Sequence, residues 1–454
     1  MTITSLNALP TPASLPASRT VAATATAGMS SATSPAAPAA PSPSVHVTLS
    51  GATSATSATA PVIYSAQPPK APAIWQDASV AIGTASGHSL TLTLQDDGSI
   101  SVKAQDNASL SDDEQAAVAK LAVAFRDALN GLASAPPRLD LTGLAQVDTN
   151  VLSSVHLSAK ATNSDQAIQT IDFTADATSR AVTIDGANGK VHISVDQGSP
   201  AMLGSKAQQA TAIANDLKQI DQAAARGHAD PALIALFKTA FTQLNAPAGI
   251  DATASTRPSS WLNETDHALL SGLADFSASI TQTARASNPY RTNEHEAFSF
   301  QMAQTTQVSG RNAAERSISQ STSSQLHASF HSALSADARL NLSDDPTSQN
   351  YYYTQIDDTA QNNIAIGYRK GLLVQALSTA TASQSTERSK YIMGQKVEDL
   401  TTPLKKSQQR DLLPVLTQME RHPPRTTEER DERSRALARI HDSLGLQTNP
   451  VALG

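Results

Sequence analysis

The first 76 residues limit what this chain can fold into. Fifty-three of them are Ala, Ser, Thr or Pro, eleven of the chain's 24 prolines lie here, and Arg19 and Lys70 are the only charged side chains before Asp77. Such a stretch has little to bury, so nothing offsets the entropy of ordering its backbone. Residues 1–76 are therefore expected to form a disordered Ala/Ser/Thr/Pro arm. The other 378 residues are left to build the body.

The body's composition excludes several classes of function. Apolar residues make up 40 % of the chain but aromatics only 4 %, so the core must be built from Ala, Leu, Ile and Val and will be thin. A net charge of −7, with no basic block interleaved with aromatics, gives no support to a nucleic-acid partner. The chain has no cysteine, which rules out disulfides, zinc thiolates and a cysteine nucleophile. No run of 18 apolar residues exists, so no transmembrane helix is expected. The N-terminus lacks the basic and apolar regions of a secretory signal peptide.

Hydrophobic periodicity predicts an α+β fold. Antiparallel β-hairpins are packed with helices in a first domain, 77–200. A central helical segment (201–290), a second β-rich segment (291–384) and a charged helical tail (385–454) follow. Leu90, Leu92 and Leu94 alternate ahead of the turn Asp97-Gly98, and Ile100 and Val102 continue the alternation. Ser111 and Glu114 form a capping box for a helix over 111–130, whose stripe is Val118, Leu121, Phe125 and Leu129, with Gly131 just past its end. Period two returns at Val155–Ala159, Ile171–Ala175, Val182–Ile184 and Val191–Val195. Two helices follow, one ending at Gly227 and one opened by Asp230-Pro231; Leu269, Leu273, Phe276 and Ile280 predict a third. Ser317–Leu334 fits strand and helix equally. In the tail, the spacing of Leu412, Leu416 and Met419, and the pair Thr426 and Glu429, predict helices.

Candidate chemistry is sparse, and no catalytic, metal or cofactor residue is assigned. No phosphate loop, GxSxG or HExxH is present. His327 and His331 would share a face as a helix and lie on the wet face as a strand, without a third ligand at metal spacing. Glu294, His295 and Glu296 put carboxylates beside an imidazole, but neighbours on a strand point to opposite faces, so they converge only on irregular backbone. Tyr351-Tyr352-Tyr353 is the one aromatic cluster. On a strand, Tyr352 packs inward while Tyr351 and Tyr353 present their rings to a protein partner.

The opening Met1-Thr2-Ile3, the recurrence of Ser5, Ser14 and Ser18, and the absence of acidic residues resemble the N-terminus of bacterial type III-exported proteins. That resemblance implies synthesis in the cytoplasm and export by a signal-peptide-independent route. It implies no active-site residue. The functional expectation is an exported or effector-like bacterial protein acting by contact with a protein not identified by the sequence, without a cofactor. A non-exported scaffold tethered by the arm is the alternative. A hydrolase without a local motif, using carboxylates and histidine, is the second alternative.

Overall fold

The structure, a computed structural model, describes residues 62–64, 74–105, 109–134, 138–146, 148–162, 168–246, 261–335 and 337–453. Four strands come first: β1 (Val62–Tyr64), β2 (Ile74–Thr84), β3 (Ser89–Leu94) and β4 (Ile100–Ala104). Helix α1 (Asp112–Leu132) and the single turn α2 (Thr142–Ala145) precede β5 (Leu152–Thr162), β6 (Ile168–Asp176), β7 (Ser179–Gly186) and β8 (Gly189–Asp196). Helices α3 (Lys206–Gly227), α4 (Pro231–Asn245) and α5 (Glu264–Leu269) follow. Six more strands are β9 (Asp275–Gln282), β10 (Ala297–Ser309), β11 (Ser317–Ala333), β12 (Tyr351–Arg369), β13 (Leu372–Ile392) and β14 (Gln395–Asp411). Helices α6 (Leu413–Arg421) and α7 (Thr427–Asp442) end the order, before a 3-10 turn at Pro450–Leu453.

This arrangement overturns the α+β expectation. All fourteen strands belong to one antiparallel sheet, ordered β1-β4-β3-β2-β5 and then in sequence to β14. The two blocks read as separate are one surface: β8 pairs β9, and β9 pairs β10. The reason is topological. The helical excursion α3–α5 leaves the sheet at the end of β8 and returns beside it, so the next strand pairs antiparallel with the last. One register row shows the continuity. Leu92, Val80, Leu157, Phe173, Val182, Ile193, Ala278, Met302, Ser324, Ala360 and Ala382 are successive cross-strand partners, and all are buried. Large side chains fill the row where α1 and α4 pack; Ala and Ser fill it toward β13.

The helices cover that inner face. Both halves of the α1 capping box form, and Phe125 is fully buried. Gly131 lies inside the last turn of α1 rather than after it. Gly227 ends α3 as expected. A Cβ there would come within 2.7 Å of the Phe298 ring, so glycine lets this helix end touch the sheet. The predicted helix through Leu269, Leu273, Phe276 and Ile280 does not form. Gly272 adopts φ +79°, which breaks it, and Phe276, Ala278 and Ile280 alternate inward along β9. The charged tail is also strand up to Asp411, because β13 and β14 pair from Leu377–Asp411 to Ile392–Gln395. Charge content carries no periodicity, so it could not reveal this.

Within the stretch 1–76 expected to be disordered, Val62–Tyr64 pairs with β4 and β2 begins at Ile74, and residues 65–73 lie outside the described residues. The expectation for residues 1–61 lies outside the described residues. Strands β11 to β14 are 17, 19, 21 and 17 residues long. At ~3.3 Å per residue, β12 runs about 60 Å, whereas the 22-residue α3 reaches about 33 Å. The sheet therefore outruns its helical cover at the end where β12 and β14 begin.

Candidate functional site

At that end, the irregular segment 283–296 crosses the outer face of the sheet and covers three side chains that would otherwise be wet. His331, Tyr351 and Tyr391 all lie on the outward-facing rows of β11, β12 and β13, yet each is at least nine-tenths buried. The cover is held by a polar network. His331 Nε2 lies 3.1 Å from Glu294 Oε2, and the Tyr351 hydroxyl donates to the same oxygen at 2.6 Å. Asn288, fully buried, donates through Nδ2 to Gln349 Oε1 at 2.8 Å and to the Tyr351 oxygen at 3.0 Å. The Arg291 guanidinium sits 4.4 Å over the Tyr391 ring and donates to the Gly394 carbonyl at 2.9 Å.

The surroundings shift two of these groups. Burial pushes the Glu294 carboxyl up, but the hydrogen bonds from His331 and Tyr351 outweigh it, and the net pKa falls below the ordinary value. Burial, with the hydrogen bond to Glu294 second, pushes the Tyr351 hydroxyl up and keeps it a donor. His331 Nδ1, on the other side of the ring, faces the exposed Ser287 Oγ at 3.1 Å, and Glu296 Oε1 is 3.5 Å from the same nitrogen.

The residues singled out by sequence are thus partly brought together. Glu294 and Glu296 both reach His331, because the backbone before β10 is irregular. His295 turns away, and its carbonyl accepts from Ser329 and from the Tyr353 hydroxyl at 3.1 Å. His327 faces Asp357 across the strand pair at 3.6 Å and does not join His331. Among the described residues, no group of three or more His, Asp or Glu is placed to hold a metal. Tyr351 is 0 % exposed, so its ring is not the free surface that alternation predicts, while Tyr353 is half-buried. Ser287, Asn288, Gln349 and Tyr391 carried no local signal, since their partners are brought in only by strand pairing.

At the same end, past the helices, β14 and the turn before it carry a different surface, with Leu400 and Leu404 on the inner row. Five of the thirteen exposed large apolar residues among the described residues fall between positions 392 and 404: Ile392, Met393, Val397, Leu400 and Leu404. Leu400 pairs with Arg388, and Lys390 pairs with Glu398, so basic side chains flank the leucines. Arg388 and Lys390 also sit over the Tyr352 ring, at 4.6 and 5.8 Å. Between positions 388 and 410 the sequence holds six Lys or Arg against two acidic residues. Strand β14 pairs only with β13 among the described strands, and residues 395–405 are exposed throughout.

The chain matches no protein family, no curated protein and no solved structure. Among the described residues, no helix is long and apolar enough to cross a membrane.

Proposed function

We propose that this is an exported, effector-like bacterial protein that works by binding another protein at the β13–β14 end of its sheet. One observation carries the binding reading: the cluster Ile392, Met393, Val397, Leu400 and Leu404, 39–58 % exposed on strands that extend beyond their helical cover. Contiguous exposed apolar surface rimmed by charge is the usual mark of a contact site. The basic rim of Arg388, Lys390 and Lys406 selects an apolar segment carrying acidic residues. Export rests on the composition of the N-terminal arm alone.

The binding test is capture of interacting proteins by the full chain and by a Leu400→Asp, Leu404→Asp variant. The variant should keep its thermal midpoint and lose its captured protein, and raised salt should weaken capture by the wild type. An unchanged capture profile overturns the reading. Export is tested separately, in a strain with a working type III apparatus, by deleting residues 2–30. If neither chain leaves the cell, the export part fails.

A second reading, hydrolysis, is favoured by the contact chain Ser287 Oγ, His331 Nδ1 and Glu294. In that chemistry the Ser287 oxygen attacks a carbonyl carbon while its proton passes to Nδ1. His331 then returns the proton to the leaving group. Binding stands ahead of it because none of the four described cavities includes Ser287. Labelling by a fluorophosphonate that disappears in Ser287→Ala would reverse that order; no labelling of the wild type removes the second reading.

A further inference from the structure

Strand β14 leaves an edge open, and the middle of its sequence is its own complement. Outward from Thr402, the residues on the two sides match in mirror order: Leu400 with Leu404, Asp399 with Lys405, Glu398 with Lys406. Leucine answers leucine, and each acid answers a base. An antiparallel pair sets one strand against the reverse of the other. A second copy laid antiparallel on β14, with Thr402 opposite Thr402, therefore makes each of these contacts twice.

The faces and the backbone both suit that register. Pairing with β13 puts Glu398, Leu400, Thr402, Leu404 and Lys406 on one row, and Asp399, Thr401, Pro403 and Lys405 on the other. Proline cannot donate to β13, so Pro403 and the residues of its row turn their N–H and C=O groups to the open edge. Across the axis these become the hydrogen-bonded pairs. The leucine row then supplies the non-hydrogen-bonded pairs, whose Cα atoms lie about 4.5 Å apart and whose side chains meet most closely. Pro403 also limits the contact, because each Thr401 carbonyl finds no N–H opposite it. The charges have room for new partners. Lys405 and Lys406 face Ser383 and Ala382 on β13, and among the described residues neither they nor Glu398 form an ion pair. Asp399 is already held by Lys396 at 2.7 Å and by the Ser389 hydroxyl at 2.9 Å. Glu398 with Lys406 is thus the pair that gains most.

We propose that β14 pairs with β14 of a second copy about Thr402, joining two sheets edge to edge in a weak homodimer. A single strand pair buries less than the roughly 1,200 Å² at which stable complexes begin, and the missing hydrogen bonds weaken it further. Its dissociation constant therefore belongs in the range of about 10–300 µM. In the dimer Leu400 and Leu404 of each copy cover Leu404 and Leu400 of the other, so a second copy competes with any other protein for this edge.

The test is sedimentation equilibrium of the purified full chain from about 1 to 300 µM. The average mass should rise from one chain toward two and stop there, because a twofold contact closes on itself. Thr402 meets its own copy on the axis, so Thr402→Lys sets like charges against each other and should weaken the dimer at least about 10-fold. Two further variants test the register. Glu398→Lys with Asp399→Lys makes the four central charges all basic, and Lys405→Glu with Lys406→Glu makes them all acidic. Each alone should stay monomeric, and an equal mixture of the two should associate within about threefold of the wild-type affinity. A wild-type mass fixed at one chain, or one that climbs past two, overturns the dimer. Association that survives Thr402→Lys overturns it too, as does a mixture that stays monomeric where the wild type associates. If a charge variant does not fold, the wild-type series and Thr402→Lys still decide. Mass of the purified chain and capture of another protein are read separately, so either can fail alone.

Discussion

Arg226, in the last turn of α3, forks onto Asp358 in the middle of β12, with its Nε 2.5 Å and Nη2 3.0 Å from the two carboxylate oxygens. The contact joins residues 132 apart in sequence and fastens the helix layer to the sheet. Arg226 also donates to Thr386 on β13 at 3.0 Å, so one guanidinium spans two strands. Asp358 has only 8 % of its side chain exposed, against 28 % for Arg226. Removing the arginine therefore strands a buried carboxylate, and Arg226→Ala should cost about 3 kcal/mol or more. Asp358→Asn in the same background should recover part of that loss. A double-mutant cycle by urea unfolding measures the coupling, and additive losses would show that the pair is not coupled.

Phe125 tests the packing of α1 independently of any function. It is 0 % exposed, while Lys120 on the same helix is exposed. Phe125→Ala should cost about 3–5 kcal/mol and Lys120→Ala less than about 0.5 kcal/mol. Equal urea midpoints for the two variants would mean that α1 does not pack on the sheet.

Two buried carboxylates should give stability profiles of opposite sign. Glu114, held chiefly by the Ser86 hydroxyl and also by the Ser111 N–H, is lowered to about 2. A folded-state pKa below the unfolded one stabilises above about 4.5, and that contribution is lost as pH falls toward 2. Glu114→Gln should thus cost about 1–3 kcal/mol at neutral pH, a difference that shrinks in acid. Asp216 is raised to about 7 by burial. Its contribution is fully present below its unfolded value of 3.8 and is lost as pH rises through 7. The wild type should therefore lose stability relative to Asp216→Asn between pH about 4 and 8, by a few kcal/mol. Parallel profiles for wild type and variant would contradict the assignment in either case.

Pro403 sits in the middle of β14, opposite Ser385. Proline lacks an N–H, so within a sheet it belongs where that position faces away from the neighbouring strand. Here it interrupts the open edge, and Lys405 and Lys406 follow it. Pro403→Val completes the row of edge donors. The variant should self-associate at concentrations where the wild type stays monodisperse by light scattering, with little change in unfolding midpoint. No difference in scattering would show that the edge is guarded by charge alone.

The local elements were legible because their causes are local. The Ser111–Glu114 box, the Asp230-Pro231 start of α4 and the alternation of Leu90, Leu92 and Leu94 each act within a few residues, and each appears in the structure. Where local pattern was ambiguous, tertiary pairing decided. Ser317–Ala333 satisfies either period, and it is strand because β10 and β12 flank it along its length. Leu273, Phe276 and Ile280 keep helical spacing, but Gly272 and pairing with β8 and β10 make the segment turn and strand. Alternation puts Tyr351 and His331 on the outward row and so predicts them exposed; it could not foresee that residues 283–296 fold over them and bury them. Nor does anything near Asp216 in sequence announce that it is buried, since Leu269–Ser271 and the residues after α7 that line its surroundings lie far away in the chain. Periodicity fixes which side of its own element a residue faces; what lies on that side is decided by segments far away in the chain.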